Sequence, residues 1–416
     1  MKIRIVRSML AAAFLSGAAI LSPAGSAWAA PSVSSSLKGP LSAAQEAMKA
    51  NDLNGALAHV KEAQAVSGLT GYDQFIIDQF LGNIYIGLKD YANAEVAFQA
   101  MAESPDLPEA DKSNILSTTV QLAVNSNKWD VAIKYGEQLQ SMGPLPEPLP
   151  EQLAVAYYNS GDKAKATALA QSEIEKAKAA NKQPSQALMQ IVLNSQAGQK
   201  DNAAALQTLE GLATDYGSPD DWARLIDNEG FSLRGLTDLQ ALNLYRLRMA
   251  TEATTSAEDY GIMATVTTKA GYPAETVAML EHGLAKGEIK PGDKTAAPLA
   301  QARAKVAADK RDTAAFEPQA KARKTGDYDV KLAESYYGYG DYPKAEEAAR
   351  RAIGKGGMKD AAEAPMLLGM SLARQGKNEE AIQVFAGMGG NANDKKIAHL
   401  WILYCQRKYT TPATHG

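Results

Sequence analysis

Side chains able to do chemistry are few and scattered in this 416-residue chain. Its histidines, His59, His282, His399 and His415, are remote from one another in sequence, without the short spacing that brings two imidazoles to one metal. A nucleophile relay needs a hydroxyl or thiol beside a histidine. His399 and the single cysteine, Cys405, share one short segment, but residues six apart on a helix do not share a side. Ser35-x-x-Lys38 and Lys324-Thr325-Gly326 supply two of the three fragments of a serine acyl-enzyme pattern; the third, Ser-Asp-Asn, is absent. Gly354-Lys355 and Gly376-Lys377 lack the upstream glycine and the following Ser or Thr of a phosphate loop, and Gly387-Met388-Gly389-Gly390 reads as a hinge. Glu346-Glu347 and Glu379-Glu380 sit where helices start, and there acidic groups favour the positive helix end. No catalytic residue, metal or cofactor is expected. An enzyme is kept only as a second alternative, with its site near Trp222, Asp227 and Glu229.

The elements that would position any site follow from Lys331–Ile353. Leu332, Ala333 and Tyr336 share one helical stripe, Gly340-Asp341 breaks it, and Ala345, Ala349 and Ala352 form a second stripe. Two short antiparallel helices joined by a tight turn are predicted, with Gly340 ending the first, Asp341 or Tyr342 opening the second, and Pro343 in its first turn. Small residues mark the close approach of the helix axes. One such pair cannot bury its apolar faces alone, so neighbours must stack.

The pattern recurs. With the second-helix alanine as a ruler, Ala56, Ala94, Ala132, Ala166 and Ala204 stand 38, 38, 34 and 38 residues apart. Ala203 and Ala205 compete for the last register. Leu81, Gly82, Tyr85, Ala94 and Phe98 give a clear early copy; Leu368, Gly369, Leu372, Gly376, Ala381 and Phe385 give a late one. Alternating prolines from Gly143 to Pro150 forbid helix and predict a stiff extended spacer. From Asp215 to Ala257 the pattern weakens: Ser218 or Asp220 caps a helix, and Leu236–Met249 is strongly apolar at helical spacing. The stretch around Ala314 is poor in large apolar residues and reads as irregular. Residues 391–408 form a lone helix, with Ile397, Leu400, Trp401 and Tyr404 capping the array.

The expected organisation is a signal peptide over 1–29, a disordered leader over 30–40 and N-terminal helical repeats over 41–214. Diverged bridging helices over 215–257, C-terminal repeats over 258–390 and the capping helix follow. Lys2, Arg4 and Arg7 precede an apolar run from Met9 to Leu21, and Ala27-Trp28-Ala29 makes a small-x-small cleavage site. No cysteine follows that run, which argues against a lipid anchor, and no second long apolar stretch predicts a span. An exported, periplasmic chain is expected. With one cysteine it has no intramolecular disulfide, so packing must hold it. Lys+Arg total 43 against 47 Asp+Glu, a net charge of −4 that speaks against nucleic acid or an anionic membrane as partner.

Leu-Gly-x-x-Tyr, Gly-Asp-Tyr, Ala and Phe at these offsets resemble the tetratricopeptide-repeat family. The resemblance covers most of residues 41–390, although the family's first-position Trp is absent throughout. It implies an all-α solenoid of about ten helix-hairpin repeats. The implied work is that of a non-catalytic scaffold or adaptor, here in the bacterial cell envelope, holding an unidentified protein or peptide in a concave groove. A small-ligand or glycan-binding periplasmic protein is the first alternative. The family's groove positions carry over to Gln79, Asn83, Glu151, Tyr158, Glu334, Tyr337, Met366, Met370 and Arg374. Asn83 has no Lys beside it, which speaks against the carboxylate clamp of the chaperone-binding members.

Overall fold

The computed structural model describes residues 32–408 apart from residue 254, so the signal peptide expected over 1–29 lies outside the described residues. Among them there is no strand, and the chain divides at Gln199/Lys200 into two compact all-α units.

Unit 1 is a stack of hairpins. Helices α1 (Lys38–Lys49) and α2 (Leu53–Gln64), α3 (Gly71–Gly87) and α4 (Tyr91–Glu103), α5 (Glu109–Asn125) and α6 (Trp129–Met142), and α7 (Leu149–Ser160) and α8 (Lys163–Ala179) pair in turn, and α9 (Gln186–Gly198) follows. The ruler alanines Ala56, Ala94, Ala132 and Ala166 are all fully enclosed. At each of them a larger side chain would drive two axes apart. The glycine of each signature meets the later phenylalanine: a Cβ on Gly82 would lie 2.8 Å from Phe98 Cε2, and one on Gly369 2.5 Å from Phe385 Cε1. The spacer is confined to residues 143–148, and Pro150 sits in the first turn of α7, where a missing N–H costs nothing.

The leader is ordered from residue 32, against expectation. A 3-10 turn, Ser35–Leu37, runs straight into α1, and Leu37 is completely buried. Asp73 is the reason. It is the N3 residue of α3 in a capping box with Thr70, and its carboxylate also accepts from Ser34 N at 2.8 Å and Ser34 Oγ at 2.6 Å. Burial pushes the Asp73 pKa up, but the hydrogen bonds from Ser34 and Thr70 outweigh it and hold the group at about 2.

Unit 2 departs from the plain stack. It begins with α10 (Asn202–Tyr216), α11 (Pro219–Ile226), a π-helical turn (Asp227–Phe231) and α12 (Asp238–Thr251). Ser218 caps α11, accepting from Asp221 N at 3.3 Å. Then come the hairpin of α13 (Ala257–Ala270) and α14 (Pro273–Lys286), a single long helix α15 (Pro298–Ala322), the hairpins α16 (Asp327–Gly338)/α17 (Tyr342–Lys355) and α18 (Glu363–Arg374)/α19 (Asn378–Gly387), and α20 (Ala392–Gln406). The stretch around Ala314 is therefore regular: Ala, Lys, Arg and Gln have high helix propensity, and one 25-residue helix satisfies them without a large apolar face. The turn after α16 is as read, with Gly340 at φ 75° and Asp341 accepting from Lys344 N at 3.2 Å.

Helix α20 does more than cap. It packs on α19 and α18 and also on α10, the π-helical turn and α12, closing the end of unit 2 onto its beginning. Hence α10 belongs with the later unit rather than with the N-terminal repeats. Cys405 lies inside this seam, and burial pushes its thiol up to about 12.

Two outcomes test this packing. Ala345→Leu, at a fully enclosed position of α17, should cost roughly 1–3 kcal/mol in urea unfolding. Asp73→Ala should cost about 1–3 kcal/mol and expose residues 32–37 to proteolysis. The depressed pKa of Asp73 means that this stability is present above the usual carboxylate range and fades as pH falls toward 2, so the variant should lose less in acid than the parent.

Candidate binding faces

In unit 1 the first helices of successive hairpins approach one another directly, α5 against α7 and α7 against α9. No comparable approach joins α4, α6 and α8 among the described residues, so the first-helix row is the tighter side of the stack. Its outward-facing side chains are half-buried and mostly uncharged: Thr118 and Gln121 on α5, Tyr158 on α7, Gln190 and Asn194 on α9. The Tyr158 hydroxyl accepts from Asn194 Nδ2 at 3.1 Å, linking adjacent hairpins, and Lys163 Nζ lies 3.2 Å from the centre of its ring. Glu151 is half-buried on the same helix. Gln79 and Asn83 are half-buried on α3, where Asn83 Nδ2 donates to the Gln79 carbonyl at 3.0 Å. These four expected residues keep accessible polar surface. Gln121, Gln190 and Asn194 stand beside them on the first helices, and an amide recurring there is the sequence mark they share.

Unit 2 is different. Glu334, Tyr337, Met366 and Met370 are at most 7% exposed, and only Arg374 is half-buried. They do not line an open groove. For Glu334 and Tyr337 the cover includes α12, a helix with ten buried residues, which carries a cation against them. Arg246, 3% exposed, spends all five N–H donors there. Nε and NH2 donate to Glu275 at 2.7 and 2.8 Å; NH1 and NH2 donate to Glu334 at 3.3 and 2.6 Å; NH1 also donates to Asn243 Oδ1 at 3.1 Å. The guanidinium stands 4.7 Å from the ring centre of Tyr337, whose other neighbour is Tyr342 at 5.2 Å between ring centroids. Arg374 Nε donates to the Tyr342 hydroxyl at 3.1 Å.

One guanidinium against two carboxylates leaves an excess negative charge. Burial opposes ionisation of Arg246, but Glu275 and Glu334 overcome it and hold the cation firmly. Burial raises Glu334, and Arg246 only partly offsets that. Glu363, at the start of α18, is pushed up to about 7 by burial and then by repulsion from Glu334 and Asp360.

In the middle segment the residues singled out from the sequence are engaged in packing and ion pairs. Trp222 is wholly buried, Asp227 pairs with Arg248, and Glu229 pairs with Lys396 at 3.1 Å. Two cavities lie elsewhere among the described residues. One of about 260 Å³ is bounded by Tyr272, Pro273 and α15; the other, of about 380 Å³, lies between the proline spacer and α8.

An Arg246→Met variant strands two buried carboxylates and should lose about 3–5 kcal/mol. Without the cation, Glu334 must take a proton. A raised acid favours the folded state below its folded pKa, so the variant should regain stability between pH 8 and pH 5 relative to the parent. Denaturant melts at both pH values read this; a deficit independent of pH would break the argument.

No curated protein sequence matches the chain. Among solved structures it is similar to the tetratricopeptide-repeat domain of P58(IPK), at 12% identity over 88% of this chain and 96% of that one, with a TM-score of 0.24. It is also similar to the pentatricopeptide repeat protein PPR10 from maize, at 12% identity over 88% and 62%, with a TM-score of 0.31. Likeness at that level carries no argument about partner or activity. The family model described as tetratricopeptide repeat matches residues 330–393, which span α16 to α19. The helix hairpins elsewhere in the chain pair in the same order as those of the matched segment.

Proposed function

We propose that this chain is a non-catalytic scaffold that holds a protein or peptide segment on the first-helix face of unit 1, working in the bacterial cell envelope. The observation that carries the reading is the contrast between the two units. The α5–α7–α9 row presents Gln121, Tyr158, Gln190 and Asn194 half-exposed, whereas Glu334, Tyr337, Met366 and Met370 of unit 2 are buried and Glu334 is taken up by Arg246. A face of amides and a tyrosine suits a segment with both polar backbone and apolar side chains, because each amide offers donor and acceptor together. The order of charge, apolar run and small residues over 1–29 supports export. A net charge of −4 favours a protein partner over nucleic acid.

A photo-crosslinking residue placed at position 158 in living cells should give a defined adduct. One at buried position 337 should give none. Tyr158→Ala combined with Asn194→Ala should weaken recovery of that partner by about five- to thirtyfold, the scale of one interface anchor. Adducts from second-helix positions such as 134, with none from 158, would move the docking face elsewhere.

A further inference from the structure

The seam that closes unit 2 brings together three side chains that the proposed function does not use. Glu210 comes from α10, Glu229 from the π-helical turn and His399 from α20, and one ligand atom of each lies within 4.8 Å of the others. We propose that these three residues form a binding site for a divalent transition ion of the zinc class, which fastens α20 to the beginning of unit 2.

The donor set decides the class of ion. One imidazole nitrogen with two carboxylate oxygens is a borderline set, which suits zinc-class ions; magnesium and calcium prefer oxygen alone. Bonds of about 2.0–2.1 Å in a tetrahedron place ligand atoms about 3.4 Å apart. His399 Nε2 and Glu210 Oε1 already stand 3.0 Å apart, so rotation of Glu229 is the main adjustment. Water would take the fourth position, because His399 keeps 43% of its side chain exposed. Two carboxylates and a neutral imidazole cancel the charge of the ion.

Lys396 is the internal competitor. Its ammonium lies 3.2 and 3.1 Å from the two oxygens of Glu229, one helical turn before His399 on α20. Without an ion it supplies the positive charge that the two glutamates require, and it is half-exposed on a flexible stem. An incoming ion therefore has to displace Lys396 from Glu229. The ligands are 19 and 170 residues apart along the chain and meet only when α20 is docked, so binding the ion is linked to closure of unit 2.

The lysine gives the site its distinguishing test. Calorimetry with zinc chloride on the untagged full-length chain at pH 7.5 should show one ion per chain and a raised melting temperature. His399→Gln should weaken binding by about a hundredfold, with an unchanged helical circular dichroism spectrum, while His282→Gln leaves it alone. Lys396→Met should tighten binding by about three- to tenfold, because a competing cation is gone. Cobalt(II) at the site should absorb in the visible. Zinc affinity unaltered by His399→Gln would overturn the proposal. So would a Lys396→Met protein that melts lower and binds zinc no better than the parent, since the cluster would then be an ion-pair network alone.

Discussion

Arg246 is buried with every donor satisfied, and unit 2 is arranged around it. A lone guanidinium in an apolar interior would cost several kcal/mol in lost hydration. It is tolerated here because two carboxylates from two different hairpins meet it as bidentate forks, and Asn243 takes the remaining donor. Exchanging such a group for packed hydrocarbon is often neutral in stability, so its value lies elsewhere. Two forks 29 and 88 residues away from one guanidinium accept only one placement of α12. A purely apolar helix could slide by a turn; this one cannot without stranding charges.

That constraint sets how the two units differ. Unit 1 stacks hairpins whose contacts run between neighbours, and its first-helix row stays open, with tyrosine and amide side chains along it. In unit 2 the corresponding residues, such as Tyr337 and Met370, are buried, and Arg246 of α12 lies over the Tyr337 ring. Two of these side chains, Glu334 and Tyr337, are engaged from within the chain by Arg246 of α12. Tyr337 stacked under Arg246 and Glu334 paired with it are contacts that an external ligand would make, supplied internally.

The parts legible in the sequence are those set by residues close together along the chain. Gly340 and Asp341 specify a turn within a few positions, and the small residues at Ala94, Ala166 and Ala345 specify the closest approach of two adjacent helices. The ruler lost its register at Ala204, which is only half-buried, just after the division between the units. What could not be read was long-range pairing. Ser34 finds Asp73 across 39 residues and Glu334 finds Arg246 across 88, and neither carries a local mark. Glu334 sits at a groove position by its spacing alone; its partner is a charged residue in a helix that reads as apolar. The cluster of Glu210, Glu229 and His399 was hidden for the same reason, since its spacing is that of three unrelated helices.

The closure of unit 2 also changes what kind of folding problem it poses. In an open stack, stability is close to a sum over repeats and their interfaces, and ends can fray without disturbing the middle. Unit 1 meets that description, with its first hairpin tied down by Ser34 on Asp73. In unit 2 the last helix packs on the first, so α20 cannot leave without uncovering Trp401, which donates to the Asn243 carbonyl, beside the Arg246 centre. Loss of either end then exposes the same buried charges. Because the last helix packs on the first and on α12, losing either end removes packing from the same centre, and the two ends of unit 2 are thereby coupled.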